Sequence, residues 1–287
     1  MPQFSSSKKS LNATGPRAKH ERKYDHLDFR PYDTSASLTY SGVLVKTTKT
    51  NRIIVTQPRY SEGVTQRGQV SIFSVDREGV IYNRETVFTG PNAYAEAGYS
   101  MEVYSEGNDF TVALGYNDTN GLGYIYVARY TVNGEATAQT HSATITNPDT
   151  SGTSGINGFD DDFGREGLLL LNHNFLIVGV DDYDHNGGSN PQGRYYAFRK
   201  QGSPAGTWQL VRTTNSLSGA GGFGSIGSIS GRMIGTEARL VVGNWTYDLG
   251  NGGSPYDGET IEYSISTGNQ EFQIRTLRPT SGGQFGR

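Results

Sequence analysis

The 287-residue sequence contains no cysteine. Disulfides, thiolate metal sites and cysteine nucleophiles are therefore excluded. No run of about 18 apolar residues occurs either, so neither a membrane-spanning helix nor membrane insertion is expected. Met1–Gly15 offers Ser, Lys and Gln where a secretory signal needs an apolar stretch, and export by a standard signal is not expected. A charge excess is missing as well: 28 acidic side chains face 25 Lys and Arg, a formal net charge of −3. The whole molecule thus makes no electrostatic case for nucleic acid or an anionic membrane. Glycine is plentiful, at 39 residues, but follows no Gly-X-Y period, which rules out a collagen helix.

The charge that is present is unevenly spread. Between Met1 and Arg30, Lys8, Lys9, Arg17, Lys19, Arg22, Lys23 and Arg30 face only Glu21, Asp25 and Asp28, so this stretch carries +4 and the remainder −7. Residues 1–35 lack apolar periodicity and hold the breaker Gly15-Pro16, the composition of a segment unable to fold alone. Two readings stand: a solvated tail, or an extended arm that orders on docking to another subunit. In the second, Lys8, Lys9, Arg17, Lys19, Arg22 and Lys23 are the assembly residues.

From residue 36 to 287 the signals are those of strands. Ser37–Lys46, Arg52–Thr56, Gly68–Val75, Phe110–Gly115, Gly123–Val132, Asn174–Val180, Gly193–Arg199, Arg239–Gly243 and Gly258–Ile265 are short runs rich in β-branched and aromatic residues, bounded by turn formers. No segment has the length and period of an amphipathic helix. The expected class is all-β.

Four segments share one grammar at a spacing of about sixty residues. Each opens with glycine beside an aromatic or small residue: Tyr40-Ser41-Gly42, Gly98-Tyr99-Ser100, Phe163-Gly164-Arg165 and Phe223-Gly224-Ser225. An apolar strand follows: Ile53-Ile54-Val55, Phe110-Thr111-Val112, Leu176-Ile177-Val178 and Leu240-Val241-Val242. After a polar loop, a glycine opens a second strand at Gly68, Gly123, Gly193 and Gly258. The repeats lie near residues 38–90, 94–150, 156–215 and 219–280. A unit of this size cannot bury both faces of a sheet alone, so neighbours must stack. A further opener, Phe285-Gly286, follows the fourth repeat. It either supplies a missing strand or belongs to a polar tail.

This grammar resembles the FG-GAP repeat, the blade of integrin-type β-propellers, over residues 38 to about 275. The third segment matches best, from Phe163-Gly164 through Leu176–Val180 to Gly193–Phe198, and the first two are degenerate. The resemblance implies a β-propeller-like array of about four blades preceded by the extended N-terminal arm.

One motif points to a metal. Asp182-Tyr183-Asp184-His185-Asn186-Gly187, with Asn190 beyond it, sets oxygen ligands at alternate positions before a glycine, as a compact Ca²⁺ loop requires. Asp182, Asp184, Asn186 and Asn190 are the candidate ligands, and FG-GAP blades carry a Ca²⁺ loop at this place. Asn190 stands where a carboxylate would bind better, so weak affinity is expected; a turn built of Asn, Asp and Gly is the competing reading. Asp160-Asp161-Asp162 reads as a solvated loop, because neighbouring side chains on an extended chain point to opposite faces. The five histidines form no metal or nucleophile motif, and no catalytic residue is expected.

Three function classes compete. The favoured one is a non-enzymatic structural or host-attachment protein of a virus particle, a tailed bacteriophage above all, located in the virion, with other virion subunits as partners through the arm and a receptor or glycan as possible outward ligand. The second is a Ca²⁺-dependent adhesion module at a cell surface or outside the cell. The third, a glycan-cleaving enzyme, requires two carboxylates converging on one face.

Overall fold

The computed structural model describes residues 44–61, 65–76, 79–117, 123–148, 163–164, 167–180, 194–202, 206–215, 229–244, 259–266 and 268–277. They form four sheets of four strands, each a meander of consecutive antiparallel strands. The first holds β1 (Val45–Thr47), β2 (Arg52–Gln57), β3 (Gln69–Val75) and β4 (Ile81–Thr89). The second holds β5 (Met101–Glu106), β6 (Asp109–Asn117), β7 (Gly123–Asn133) and β8 (Ala136–Thr146). The third holds β9 (Gly167–Asn172), β10 (Phe175–Val180), β11 (Arg194–Gln201) and β12 (Thr207–Asn215). The fourth holds β13 (Ile229–Ile234), β14 (Glu237–Asn244), β15 (Glu259–Ile265) and β16 (Glu271–Leu277). Among the described residues there is no helix, so the chain is all-β, as its residue patterns predict.

Burial explains why the apolar runs sit in the second and third strand of each sheet. β3 and β10 are buried along their whole length, because these middle strands are covered on both faces. The outer strands β8 and β16 are largely exposed, β8 with mostly polar or small residues and β16 with Phe272, Ile274 and Leu277 at the surface. The two-residue period of an extended chain then assigns alternate side chains to different neighbours. In β11, Tyr195 joins a core with the fourth sheet, whereas Tyr196 joins a core with the second.

Three cores join the sheets in chain order. Ile54, Val70 and Ile72 of the first sheet meet Phe110, Val112, Leu114 and Tyr130 of the second. Ala113, Ile125, Val127 and Ile145 of the second meet Leu176, Val178, Tyr196 and Phe198 of the third, with Phe163 between them. Phe175, Ile177 and Tyr195 of the third meet Leu240, Val242, Ile261 and Tyr263 of the fourth. Each such large side chain contributes roughly 1.5–3 kcal/mol on burial. The first strands also meet: β1 touches β5, β5 touches β9 and β9 touches β13.

The two ends of the series differ. On the first sheet, the face turned away from the second carries the buried cluster Ile53, Val55, Phe73 and Val75. On the fourth, the face turned away from the third carries Arg239 paired with Glu237 and Glu262, and Arg275 paired with Glu262. There Val241 is 41% exposed and Phe272 54%.

Candidate functional site

The proposed calcium residues Asp182, Asp184, Asn186 and Asn190 lie outside the described residues, as do the arm residues Lys8, Lys9, Arg17, Lys19, Arg22 and Lys23. Asp160–Asp162 lie outside them too. Among the described residues, no three of His, Asp and Glu stand close enough to share a metal ion. Apart from the Arg239, Glu237, Glu262 and Arg275 pairs on the outward face of the fourth sheet, the ionisable groups described below lie between the sheets.

The densest group sits between the second and third sheets. Strand pairing lines up Tyr104, Thr111, Arg129 and His141 in one row across β5, β6, β7 and β8, with Glu106, Asp109 and Thr131 in the next row. His173, in the turn between β9 and β10, comes from the third sheet, and Lys200 and Trp208 are paired on β11 and β12. His173 Nδ1 and Thr111 Oγ1 share a hydrogen bond of 2.8 Å, and the His173 ring meets Tyr104 edge-on at 4.9 Å. Arg129 donates to Asp109, and the Thr131 hydroxyl donates to the other oxygen of the same carboxylate at 2.6 Å. The hydrogen bond from Thr131, followed by Arg129, holds the Asp109 carboxyl below the usual carboxylate range.

This group clamps sheets together. A hydroxyl hydrogen-bonded to an imidazole is the pairing of a nucleophile with its base. Here, however, Thr111 is 1% exposed and His173 8%, which leaves no approach for a substrate. His173 Nε2, His141 Nε2 and Trp208 Nε1 meet no hydrogen-bond partner among the described residues. Burial, with Arg129 next in weight, holds the His173 imidazole below its ordinary range, and burial does the same to Lys200.

The pH consequence follows from the sign of that shift. An unfolded imidazole titrates near 6.5. With the folded value depressed, the unfolded chain takes the proton first, so stability present above about 6.5 is lost as pH falls through the folded value. His141 is lowered by burial and by Lys200 and adds a contribution of the same sign. Urea unfolding between about pH 7 and 5 should therefore show a fall in stability that is smaller in His173→Gln. An unchanged slope in that variant would assign the proton uptake to His141.

The other junctions use the same device with different residues. Arg52 of β2 donates to the Gly134 and Glu135 carbonyls, at 3.1 and 3.0 Å, in the turn between β7 and β8. Arg199 of β11 donates to the Ser266 carbonyl beyond β15 at 3.1 Å and lies over the Phe175 ring. Between the third and fourth sheets, Glu271 accepts hydrogen bonds from Tyr195 and, at 2.6 Å, from Thr214, with Arg212 at 3.5 Å. Burial, then the Glu271 charge, pushes the Tyr195 hydroxyl far above its usual value. Sequence reading found none of these groups. Their members come from separate strands and share no motif; only register unites them.

No protein-family model matches the chain. No curated protein matches it either. Among solved structures it is similar to the endo-arabinase of Bacteroides thetaiotaomicron, at 10% identity and a TM-score of 0.39, over 84% of this chain and 82% of that one. It is also similar to the N-terminal domain of Nup159, at 8% identity and a TM-score of 0.21, over 78% of this chain and 58% of that one. A third likeness, at 8% identity and a TM-score of 0.21, is to a chain of the S. cerevisiae Dbp5 complex with Nup159 and Gle1, of which this chain spans 57%. Nothing about activity passes from these proteins to this chain.

Proposed function

We propose that this is a non-enzymatic structural and binding protein of a virus particle, of the tailed-bacteriophage type, in which the basic arm docks to other subunits and the acidic body faces outward for attachment. The supporting observation is the charge partition: +4 over Met1–Arg30 against −7 over the rest. Opposite charge on arm and body lets the arm seek an acidic surface while the bodies repel one another. The four sheets are read as FG-GAP-like blades of a propeller, whose loops form the outward surface. The reading is also in keeping with the inter-sheet groups, which use Asp109, Arg129, His173 and Glu271 for cohesion.

A second reading has its own observation, the Asp182-x-Asp184-x-Asn186-Gly187 spelling with Asn190. It makes the protein a Ca²⁺-dependent adhesion module at a cell surface or outside the cell, with those four residues holding the ion. One experiment separates the readings. Deleting residues 1–35 should leave a folded body that no longer enters the assembly, in Ca²⁺ or in chelator. Unchanged incorporation refutes the arm. Attachment that survives the deletion but is lost in Asp184→Ala, with loss of Ca²⁺ heat in calorimetric titration, favours the adhesion module.

A further inference from the structure

The contact that joins one sheet to the next is repeated, and its repetition points to a seat on the fourth sheet. On the first sheet, Ala97-Gly98 rests at the opening of β3: a Cβ on Gly68 would strike the Ala97 backbone, and one on Gly98 would strike Thr56 and Val70. On the second sheet, Phe163-Gly164 rests at the opening of β7: a Cβ on Gly123 would strike the Phe163 carbonyl, and one on Gly164 would strike Tyr124 and Ile125. Both glycines are left-handed, with φ of +86° at Gly98 and +78° at Gly164. Register matches the two seats, since Thr56 pairs with Val70 and Gly115 with Ile125, each two residues past the opening glycine.

In the fourth sheet, Thr260 lies two residues past Gly258 and pairs with Gly243. Gly243 is buried, whereas Val241, two residues earlier on the same face, is 41% exposed. That face is therefore covered at its Gly243 end and open beyond it. Beyond this sheet the sequence supplies the opener Phe285-Gly286. Gly98 lies ten residues after Phe88, the β4 partner of Val70; Gly286 lies nine residues after Leu277, the β16 partner of Thr260. Nine residues reach up to about 30 Å, and crossing two strands takes about 10 Å.

We propose that Phe285-Gly286, which lies outside the described residues, docks on the fourth sheet against Gly243 and Thr260, as Ala97-Gly98 docks on the first and Phe163-Gly164 on the second. The occupant of the seat is thus a segment of this same chain, and the assignment is independent of any function given to the protein. It also accounts for a glycine at 243: the matching Gly115 has no room for a Cβ because the Gly164 carbonyl occupies that space.

The test is hydrogen exchange on the full chain and on a variant truncated after Gln284. Amides of residues 240–244 and 259–262 should exchange on the order of tenfold faster in the truncated protein, while those around Gly115 and Ile125 keep their rates. Phe285→Ala should reproduce most of the effect. Equal exchange at 240–244 in the full and truncated proteins overturns the proposal. As a second arm, Gly243→Val should release the tail, so that truncation lowers its melting temperature no further; fully additive losses also overturn the proposal. Should Gly243→Val fail to fold, the truncation decides alone.

Discussion

Phe163→Ala is expected to cost about 3–5 kcal/mol and to loosen the second sheet from the third. Phe163 is 1% exposed, although it belongs to neither sheet's strands. Its ring meets Tyr196 and Phe198 edge-on at 5.6 and 6.2 Å, while its carbonyl lies over Gly123. The space does not readily close, because the backbone that follows the ring is held: Ser100 donates a hydrogen bond to the Gly164 carbonyl, and Gly164 abuts Tyr124 and Ile125. Phe163→Leu, which keeps most of the volume, should cost much less. Urea denaturation measures both. A loss below about 1 kcal/mol for Phe163→Ala would mean that the ring is not what joins the sheets.

The second large effect is expected at Glu271. Its side chain is 6% exposed and accepts from Tyr195 and Thr214 with Arg212 alongside. Glu271→Ala removes the shared charged acceptor of a fully buried tyrosine hydroxyl and a buried threonine hydroxyl, and should cost about 3 kcal/mol. Adding Tyr195→Phe to that variant removes a hydroxyl that has lost its charged acceptor and should restore part of the loss. A double-mutant cycle reads this coupling directly. If Tyr195→Phe lowers stability equally with and without Glu271, the carboxylate does not depend on that hydroxyl.

Much of the strand pattern was legible because it rests on local chemistry. Ile53-Ile54-Val55 and Leu176-Ile177-Val178 are apolar over consecutive residues and mostly β-branched, which is the mark of a strand covered on both faces, and β2 and β10 are such strands. The outer strands were harder to see. β8, Ala136–Thr146, is polar and largely exposed, so hydrophobic periodicity barely marks it; its partner β7 holds it in place through paired backbone groups. The inter-sheet groups were not legible at all. His173 reads in sequence as a turn residue before a strand, and its partner Thr111 lies 62 residues away.

The order of residues by itself determined the all-β class, the strand-and-glycine grammar and the contrast between a basic Met1–Arg30 and an acidic remainder, because side-chain type and two-residue alternation act within a few positions of the chain. Tertiary structure decided which face of each strand meets which neighbour. It set Tyr195 against the fourth sheet and Tyr196 against the second, and it gathered the half-buried Asp109 and Arg129 beside the buried His173. Those outcomes depend on register and on how closely backbones approach at Gly68, Gly115 and Gly123. Both are properties of sheets packed together, and no single strand contains them.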